Sequence, residues 1–318
     1  SGCTQIWVAA GTYMPGFSST DTFQLKNGVV LYGGFAGTES SLNERDIIAN
    51  ETILSGNIQG SGSSDNSYHV VTGSGTDNTA VLDGFTVADG YADGTTGSNN
   101  KGAGMYNSSG SPTVRNVTFK DNYATSGAGM YNSNSTPAIS GALFINNTAT
   151  ALGGGMYNGM SNVTLANVTF AGNQASNGGG LYNAFSNPTL LNVTFTANTA
   201  SSHGGGIFDE WAAPDVHNTI FWGNTATTAG AQIYDDEDSG AALSDSVVEG
   251  GFAGGTNIIT GDPLLGTLGD YGGRMQAIPL QAGSPAIDAG NEATCALVDQ
   301  RGISRNGQGA SCDIGDFE

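Results

Sequence analysis

Basic side chains are scarce in this 318-residue sequence, which contains eight Lys and Arg against 28 Asp and Glu. The resulting formal charge of −20 argues against nucleic acid and anionic membranes as partners, because binding to phosphate needs basic patches. Residues 122–208 include no Asp, Glu, Lys or Arg at all. The middle of the chain therefore cannot hold an acid/base pair of the usual kinds.

Long apolar runs and cysteines are also few. No stretch of about 18 apolar residues occurs, so we expect no direct membrane insertion. The sequence starts at Ser1, which suggests that an upstream segment such as a signal peptide was removed. Cys295 and Cys312 flank a Gly/Arg/Asn loop, and we predict a disulfide between them, as in a secreted protein. Cys3 is predicted to be a small buried residue of the first coil, with a reactive thiol or an intermolecular bridge as the alternatives.

A block of 25 or 26 residues is written five times between Gly102 and Ala229. Each copy opens with a glycine cluster followed by an apolar and an aromatic residue, and it closes on Phe-x-x-Asn. So regular a spacing indicates one structural unit stacked on itself. The apolar residues of the openings, including a degenerate sixth copy, are Met105, Met130, Met156, Leu181, Ile207 and Ile233. The closing aromatics are Phe119, Phe144, Phe170, Phe195 and Phe221.

Within each unit, apolar and polar residues alternate with a period of two, as in Asn116-Val117-Thr118-Phe119. This period predicts short half-buried strands, and the frequent Gly, Asn and Ser leave no room for a helix. We therefore predict an all-β fold, a right-handed parallel β-helix with coils of about 25 residues. The apolar and phenylalanine positions should form inward ladders. Asn122, Asn147, Asn173, Asn198 and Asn224 should form a hydrogen-bonded ladder at a left-handed turn.

The regularity of the repeat suggests three stretches of one solenoid. Residues 1–101 are read as irregular N-terminal coils, residues 102–250 as the regular coils, and residues 251–318 as irregular C-terminal coils with a disulfide-closed cap. We see no amphipathic capping helix before the first strand, so the N-terminal coil could stack on another copy of the chain.

A tyrosine follows the apolar residue in most openings and should point outward by strict alternation. These side chains, Tyr106, Tyr131, Tyr157 and Tyr182, are candidate ligand-binding residues for surface glycans, since an uncharged aromatic face can stack on sugar rings. The alternative is that the rings stack on each other or under a loop.

Acidic residues are concentrated at the last regular coils. Asp209 and Asp235 occupy the position that Asn107, Asn132, Asn158 and Asn183 hold in earlier coils, so their carboxylates should be stacked neighbours. Three interpretations stay open: a solvated acidic turn, a Ca²⁺ site that adds Glu237 and Asp238, and a catalytic carboxylate pair with Asp215 nearby. Ca²⁺ is the one cofactor that the pattern suggests. His69, His203 and His217 have no metal-ligand spacing and are read as surface residues on turns.

The glycine-rich openings and the Phe-x-x-Asn closings resemble the repeats of chlamydial polymorphic outer-membrane proteins, whose passenger regions are β-helical surface adhesins. The tail, with Ser284-Pro285-Ala286-Ile287-Asp288-Ala289-Gly290 and Cys312-Asp313-Ile314-Gly315-Asp316-Phe317-Glu318, resembles secreted bacterial right-handed parallel β-helix repeat proteins. These resemblances imply a fold of the pectate-lyase-like superfamily and a cell-surface setting. Lyases of that superfamily use a Lys or Arg base beside acidic Ca²⁺ ligands, and Arg115 and Lys120 are the basic residues in the regular coils.

Together these patterns favour a secreted or cell-surface β-helix with a structural or adhesive role and no enzymatic activity. Such a protein could also assemble end to end into fibres. The alternative is a carbohydrate-active enzyme, a polysaccharide lyase or glycoside hydrolase, with its carboxylate site near Asp209 and Asp235.

Overall fold

The chain folds into a parallel β-solenoid of about nine turns, which confirms the predicted fold class. The computed structural model describes residues 2–58, 62–63 and 65–318. The irregular N-terminal coils contain nine short strands: β1 (Gln5–Ala9), β2 (Gly11–Tyr13), β3 (Phe23–Gln24), β4 (Val30–Phe35), β5 (Thr52–Ser55), β6 (Val71–Thr72), β7 (Val81–Asp83), β8 (Thr86–Ala88) and β9 (Tyr91–Ala92). A 3₁₀ helix at Leu42–Glu44 lies in the loop between β4 and β5.

The regular coils follow with strands in a repeating order. They are β10 (Met105–Ser108), β11 (Thr113–Arg115), β12 (Thr118–Lys120), β13 (Tyr123–Ser126), β14 (Met130–Ser133), β15 (Ala138–Ile145), β16 (Thr148–Leu152), β17 (Met156–Gly159), β18 (Thr164–Ala171), β19 (Gln174–Asn177), β20 (Leu181–Ala184), β21 (Thr189–Thr196), β22 (Thr199–His203), β23 (Ile207–Glu210), β24 (Asp215–His217), β25 (Ile220–Trp222), β26 (Thr225–Ala226) and β27 (Ile233–Asp235). Strands β28 (Ala242–Val248) and β29 (Thr256–Ile259) complete the stack, and a second 3₁₀ helix spans Glu292–Thr294.

The strands form three parallel sheets, one for each face of the coil. Within the described residues the largest sheet has 15 strands, and the others run in the orders β27-β23-β20-β17-β14-β10-β6-β3 and β26-β22-β19-β16-β13-β9. Identical repeat positions pair across coils, as Met105 does with Met130 and Phe144 with Phe170. No helix in the described part of the chain has the length and apolarity that a bilayer span requires.

The two apolar ladders form the core, as predicted. The five closing phenylalanines are fully buried, and neighbouring rings stack 4.7–4.9 Å apart. Burial of each such ring contributes about 1.5–3 kcal/mol to stability. The opening glycines take φ values of 59–67°, a left-handed conformation in which a Cβ would also meet the backbone of its own turn. Each repeat thus contains a glycine that the left-handed corner requires and a phenylalanine that fills the core.

The asparagine ladder of the closing motif is present, but the left-handed residue is its neighbour. Asn147 donates through Nδ2 to Oδ1 of Asn173 at 2.9 Å and to the carbonyl of Phe119 at 2.9 Å. The positive φ values of 54–70° belong to the residue before each ladder asparagine: Asp121, Asn146, Gly172, Ala197 and Gly223. The amides therefore hold the corner from inside, while the preceding residue makes the bend.

The segment after the last coil folds back along the side of the solenoid. The Nε2 of Gln300 donates to the carbonyl of Ala142 at 2.9 Å, and the hydroxyl of Thr169 donates to the buried Asp316 at 2.7 Å. Cys295 and Cys312 form the predicted disulfide, with their Cα atoms 6.6 Å apart. The tail thus covers a lateral face of the coils.

The prediction for Cys3 is wrong, because this thiol is free and exposed. Its Sγ donates to the carbonyl of Gln5 at 2.8 Å. The residue precedes β1, the edge strand of the largest sheet, so only one side of it has a coil to pack against.

Candidate functional site

A second ladder of buried amides leads to the predicted acidic site. Asn107, Asn132, Asn158 and Asn183 are fully buried in successive coils. Each amide donates to the side-chain oxygen of the next coil at 2.8–3.0 Å, and Asn183 donates to Oδ1 of Asp209 at 2.8 Å. Amides can continue such a ladder indefinitely because each carries both donors and an acceptor, whereas a carboxylate only accepts. The chain of amide donors therefore ends at Asp209.

Asp209 and Asp235 are paired in register, as predicted from the repeat. Asp209 is fully buried, and its Oδ2 and the Oδ1 of Asp235 have no hydrogen-bond partner within the described residues. Burial raises the pKa of Asp209 well above its usual value; the hydrogen bond from Asn183 opposes this shift and the adjacent Asp235 adds to it. Two carboxyl groups in this arrangement can share a proton or bind a cation between them.

The other predicted acidic residues are exposed, unlike Asp209. Glu237 and Asp238 lie exposed on the turn after β27. Asp215 is exposed on β24, where its Oδ1 lies 3.0 Å from Nε2 of His217. Among the residues that the structure describes, no group of three or more His, Cys, Asp or Glu is arranged to hold a metal ion. The Ca²⁺ site at Asp209, Asp235, Glu237 and Asp238 stays a prediction.

The histidines are not simple surface residues on turns, and that prediction is wrong for two of them. His203 and His217 lie within strands β22 and β24 and are half-buried. His69 stacks on Tyr106 with ring centroids 4.8 Å apart, and burial lowers its pKa. The ring of His203 lies 4.5 Å from that of Tyr234, and Nδ1 of His217 lies 2.7 Å from the hydroxyl of Ser244, so residues of the next coil cover both side chains.

The tyrosines form one continuous stacked column. Tyr106, Tyr131, Tyr157 and Tyr182 follow each other with centroids 4.7–5.6 Å apart and planes 2–9° from parallel. Burial, assisted by the neighbouring tyrosines, raises the pKa of Tyr131 to about 12. Both faces of each inner ring are covered by its neighbours. A saccharide at this column would meet ring edges and hydroxyls, not open aromatic faces.

A different, exposed column at the next corner was missed by the sequence analysis. Met160, Phe185 and Trp211 are 62%, 60% and 53% exposed, and the two aromatic rings are 6.1 Å apart and nearly parallel. All three have φ values of 50–51°, as do Ser109 and Asn134 at the same place in earlier coils within a few degrees. This conformation costs a bulky residue about 1 kcal/mol or more. The signal was available, because the register places five successive residues at this corner and the last three change from polar to apolar.

A buried serine ladder fixes that corner from inside. The backbone N–H of Ser135 donates to Oγ of Ser161 at 3.0 Å, and the N–H of Ser161 donates to Oγ of Ser186 at 2.8 Å. These serines directly follow the exposed column and are at most 1% exposed. The bend is therefore imposed by the coil, and the column residues are held outward at a fixed spacing.

The comparisons with known proteins bear on two consecutive coils. Residues 167–184 and 192–210 match the model of the Chlamydia polymorphic membrane protein repeat. Each match runs from the strand of the closing motif to the strand that follows the next glycine cluster. Neither curated proteins nor solved structures give a match, and the resemblance to the pectate-lyase-like superfamily stays a prediction. Two segments of the chain are thus similar to the Chlamydia polymorphic membrane protein repeat, and both lie in coils of a parallel β-solenoid.

Proposed function

We propose that this protein is a non-enzymatic, adhesive β-solenoid of the bacterial cell surface. The matched repeat belongs to a family that is associated with the outer membrane or the cell surface, and it supports an adhesin-like role. The middle coils, residues 122–208, provide a regular stack without Asp, Glu, Lys or Arg. Such a body is suited to presenting a lateral binding surface at a distance from its attachment point.

The exposed column of Met160, Phe185 and Trp211 is the observation that carries this proposal. A soluble solenoid gains nothing in stability from bulky side chains that are more than half exposed in a left-handed conformation. Exposed aromatic residues with parallel rings at fixed spacing are typical of surfaces that bind saccharides or other partners. We assign the adhesive contact to this corner, with the adjacent tyrosine edges as a second contact.

The test compares glycan-array binding of the wild type with that of Phe185→Asn plus Trp211→Asn. Asparagine already occupies this corner at Asn134, so the double variant keeps the fold and relieves backbone strain. We expect binding to fall at least ~5-fold, since each of the two aromatic contacts contributes ~0.5–1.5 kcal/mol. Phe17→Ala is the matched control, because Phe17 is 86% exposed elsewhere on the chain and its loss should leave binding unchanged.

Two outcomes would contradict the assignment: no glycan bound by the wild type, or equal binding by the double variant and Phe17→Ala. Tyr106→Phe plus Tyr157→Phe tests the tyrosine edges separately, because it removes hydroxyls and keeps the stacked column. Enzymatic cleavage is checked on the same glycans. A carboxyl group as buried as Asp209 cannot contact a polysaccharide without local opening, so we expect no products.

We also propose that the N-terminal coil mediates association with a second copy of the chain. Strand β1 is the edge of the largest sheet, and Ile6 and Trp7 on it are 43% and 39% exposed. An unpaired edge with apolar side chains favours pairing with another strand. This surface lies at the end of the stack and is separate from the adhesive corner.

A further inference from the structure

The scarce basic residues of the chain are gathered at one lateral groove. Four of the eight Lys and Arg line two adjoining cavities of about 270 and 180 Å³. These four side chains are Arg45, Arg115, Lys120 and Arg274. In a molecule of net charge −20, such a concentration on one face requires a local explanation.

Two irregular segments build this groove against the coils. Arg45 belongs to the loop between β4 and β5, and Arg274 belongs to the tail that folds back along the solenoid. The tail is fixed here because the N–H of Arg274 donates to the carbonyl of Arg301 at 2.9 Å. Arg115 and Lys120 come from strands β11 and β12 of the first regular coil. Segments far apart in sequence therefore converge to place cations at one site.

Internal ion pairs neutralise only part of this positive charge. Asp83, which is buried, accepts from Arg45 at 2.8 Å and from Arg115 at 2.7 Å, so one carboxylate faces two guanidinium groups. The side chain of Arg115 is still 41% exposed in this arrangement. Lys120 has a single long contact of 3.5 Å with the exposed Glu51. Asp83 and Glu51 are the acidic residues that line the cavities, so four cations face two carboxylates.

Arg274 is the cation most available to a ligand. It is exposed, lines both cavities and makes no side-chain ion pair or hydrogen bond with any residue that the structure describes. An arginine presents several N–H donors in a planar fork that matches a carboxylate or sulfate group. Arg274 and Lys120 both line the larger cavity and give it two cationic groups without a buried counter-charge.

The rest of the lining indicates that the occupant is more than a bare anion. Ile47 and Ile48 provide an apolar wall, and Thr118 and Gln276 add a hydroxyl and an amide. The larger cavity is close to the lower end of the ~300–1,000 Å³ range of small-molecule sites, which combine apolar lining with a few orienting polar groups. A sugar ring that carries a carboxylate or sulfate offers the complementary set: C–H faces, hydroxyls and a negative charge.

We infer that this groove binds an acidic saccharide, with Arg274 and Lys120 as the groups that recognise its carboxylate or sulfate. The site is distinct from the corner of Phe185 and Trp211, so the two binding surfaces can fail independently. In a strongly acidic protein, a single cationic groove also limits where an anionic chain can approach, because the remaining surface repels it.

The experiment is calorimetric titration of the full 318-residue chain with oligogalacturonate, hyaluronan and heparin oligosaccharides, and with carboxyl-reduced oligogalacturonate as the neutral counterpart. We expect at least one acidic oligosaccharide to bind, the neutral counterpart not to bind, and the affinity to fall as NaCl is raised. Arg274→Gln plus Lys120→Gln should weaken binding at least ~10-fold, as expected when charge-assisted hydrogen bonds are lost. Lys26→Gln is the control for Arg274→Gln alone, because it removes one exposed positive charge outside both cavities and should have little effect.

Several results would overturn the inference. Absence of binding by every acidic oligosaccharide would contradict the site, and equal weakening by Arg274→Gln and Lys26→Gln would indicate nonspecific charge attraction. Binding of the neutral oligosaccharide with the same affinity eliminates the role of the cations. Inorganic sulfate that binds as tightly as the saccharide would show an anion site without sugar recognition. Circular dichroism of each variant confirms that the fold is intact in each comparison.

Discussion

At the scale of single residues, Asp209 is the point where the repeat changes its chemistry. Four earlier coils place an asparagine at this position, and Asp209 is as buried as they are. Its carboxyl group accepts from Asn183, but it has no proton to donate to Asp235 once it is ionised. Burial raises the pKa of Asp209, and the raised pKa favours the protonated carboxyl group in the folded protein.

The pH dependence of stability follows from the direction of that shift. Because the folded-state pKa of Asp209 lies above the unfolded value, its contribution to stability is present below the unfolded pKa of ~3.9 and is lost as pH rises through the folded pKa. Asp209→Asn continues the amide ladder and cannot ionise. We expect the variant to be more stable than the wild type by about 1–3 kcal/mol at pH 7, with a smaller difference at pH 4. Urea denaturation at both pH values measures this.

The control is Asp238→Asn, which removes an exposed carboxylate from the neighbouring turn. A stability difference for Asp209→Asn that is the same at pH 4 and pH 7 would contradict the assignment. Calcium adds a second comparison after chelator treatment. If Asp209 and Asp235 hold Ca²⁺, the ion stabilises the wild type at pH 7 and leaves Asp209→Asn unchanged; equal responses discard the metal site.

For single residues, the sequence predicts which side chains are stacked neighbours, but it does not predict how exposed each one is to solvent. The register identifies Asp209 and Asp235 as stacked neighbours because strand spacing is fixed by backbone hydrogen bonds. It does not reveal that Asp209 is sealed from solvent, since burial depends on the packing of adjacent coils. Cys3 and His203 illustrate the same limit: their exposure is set by whether a coil covers them.

At the scale of elements, the closing asparagine ladder stabilises every corner it passes. Asn173 accepts from the backbone N–H and Nδ2 of Asn147, and it donates to the carbonyl of Phe144 and to Asn198. All of these groups are buried, so removal of one amide leaves several donors and acceptors without partners. Each such group costs about 1–3 kcal/mol.

We therefore predict that Asn173→Ala destabilises the protein by about 3 kcal/mol or more, as measured by chemical denaturation. Asn162→Ala is the matched control, because Asn162 is an exposed asparagine of the same region whose Oδ1 accepts one bond from the N–H of Asn187. Its loss should cost under about 1 kcal/mol. Similar losses in the two variants would mean that the ladder does not stabilise the corners.

The strands and ladders of the regular coils could be predicted because the same residue types recur at the same position of each repeat. The apolar and phenylalanine ladders follow directly from spacing. The groove lined by Arg45 and Arg274 could not be predicted, since its walls are non-repeating segments whose placement depends on docking against the coils. The exposed corner of Phe185 and Trp211 could be predicted in part. The repeat spacing shows that these residues stack, but the sequence does not show that their backbone is left-handed.

At the scale of the whole molecule, a lateral face and the N-terminal end of the solenoid differ in how far they are covered from solvent. The tail covers one lateral face through Gln300 and Asp316, which bond to the sides of the middle coils. The first coil has no comparable cover within the described residues. Strand β1 pairs with β4 on one side, and its apolar side chains Ile6 and Trp7 are partly exposed.

This asymmetry predicts concentration-dependent association through the first coil. Replacing Ile6 and Trp7 with Lys should abolish it, because charged side chains on an edge strand oppose pairing with another strand. Light scattering coupled to size exclusion should show oligomers of the wild type that increase with protein concentration and monomers of the variant. Leu297→Lys, a change at an apolar residue of the C-terminal tail that is 89% exposed, is the control and should leave the oligomers intact. A wild type that stays monomeric at all concentrations, or oligomers that persist in Ile6→Lys plus Trp7→Lys, would place any self-association elsewhere and leave lateral binding as the function of the solenoid.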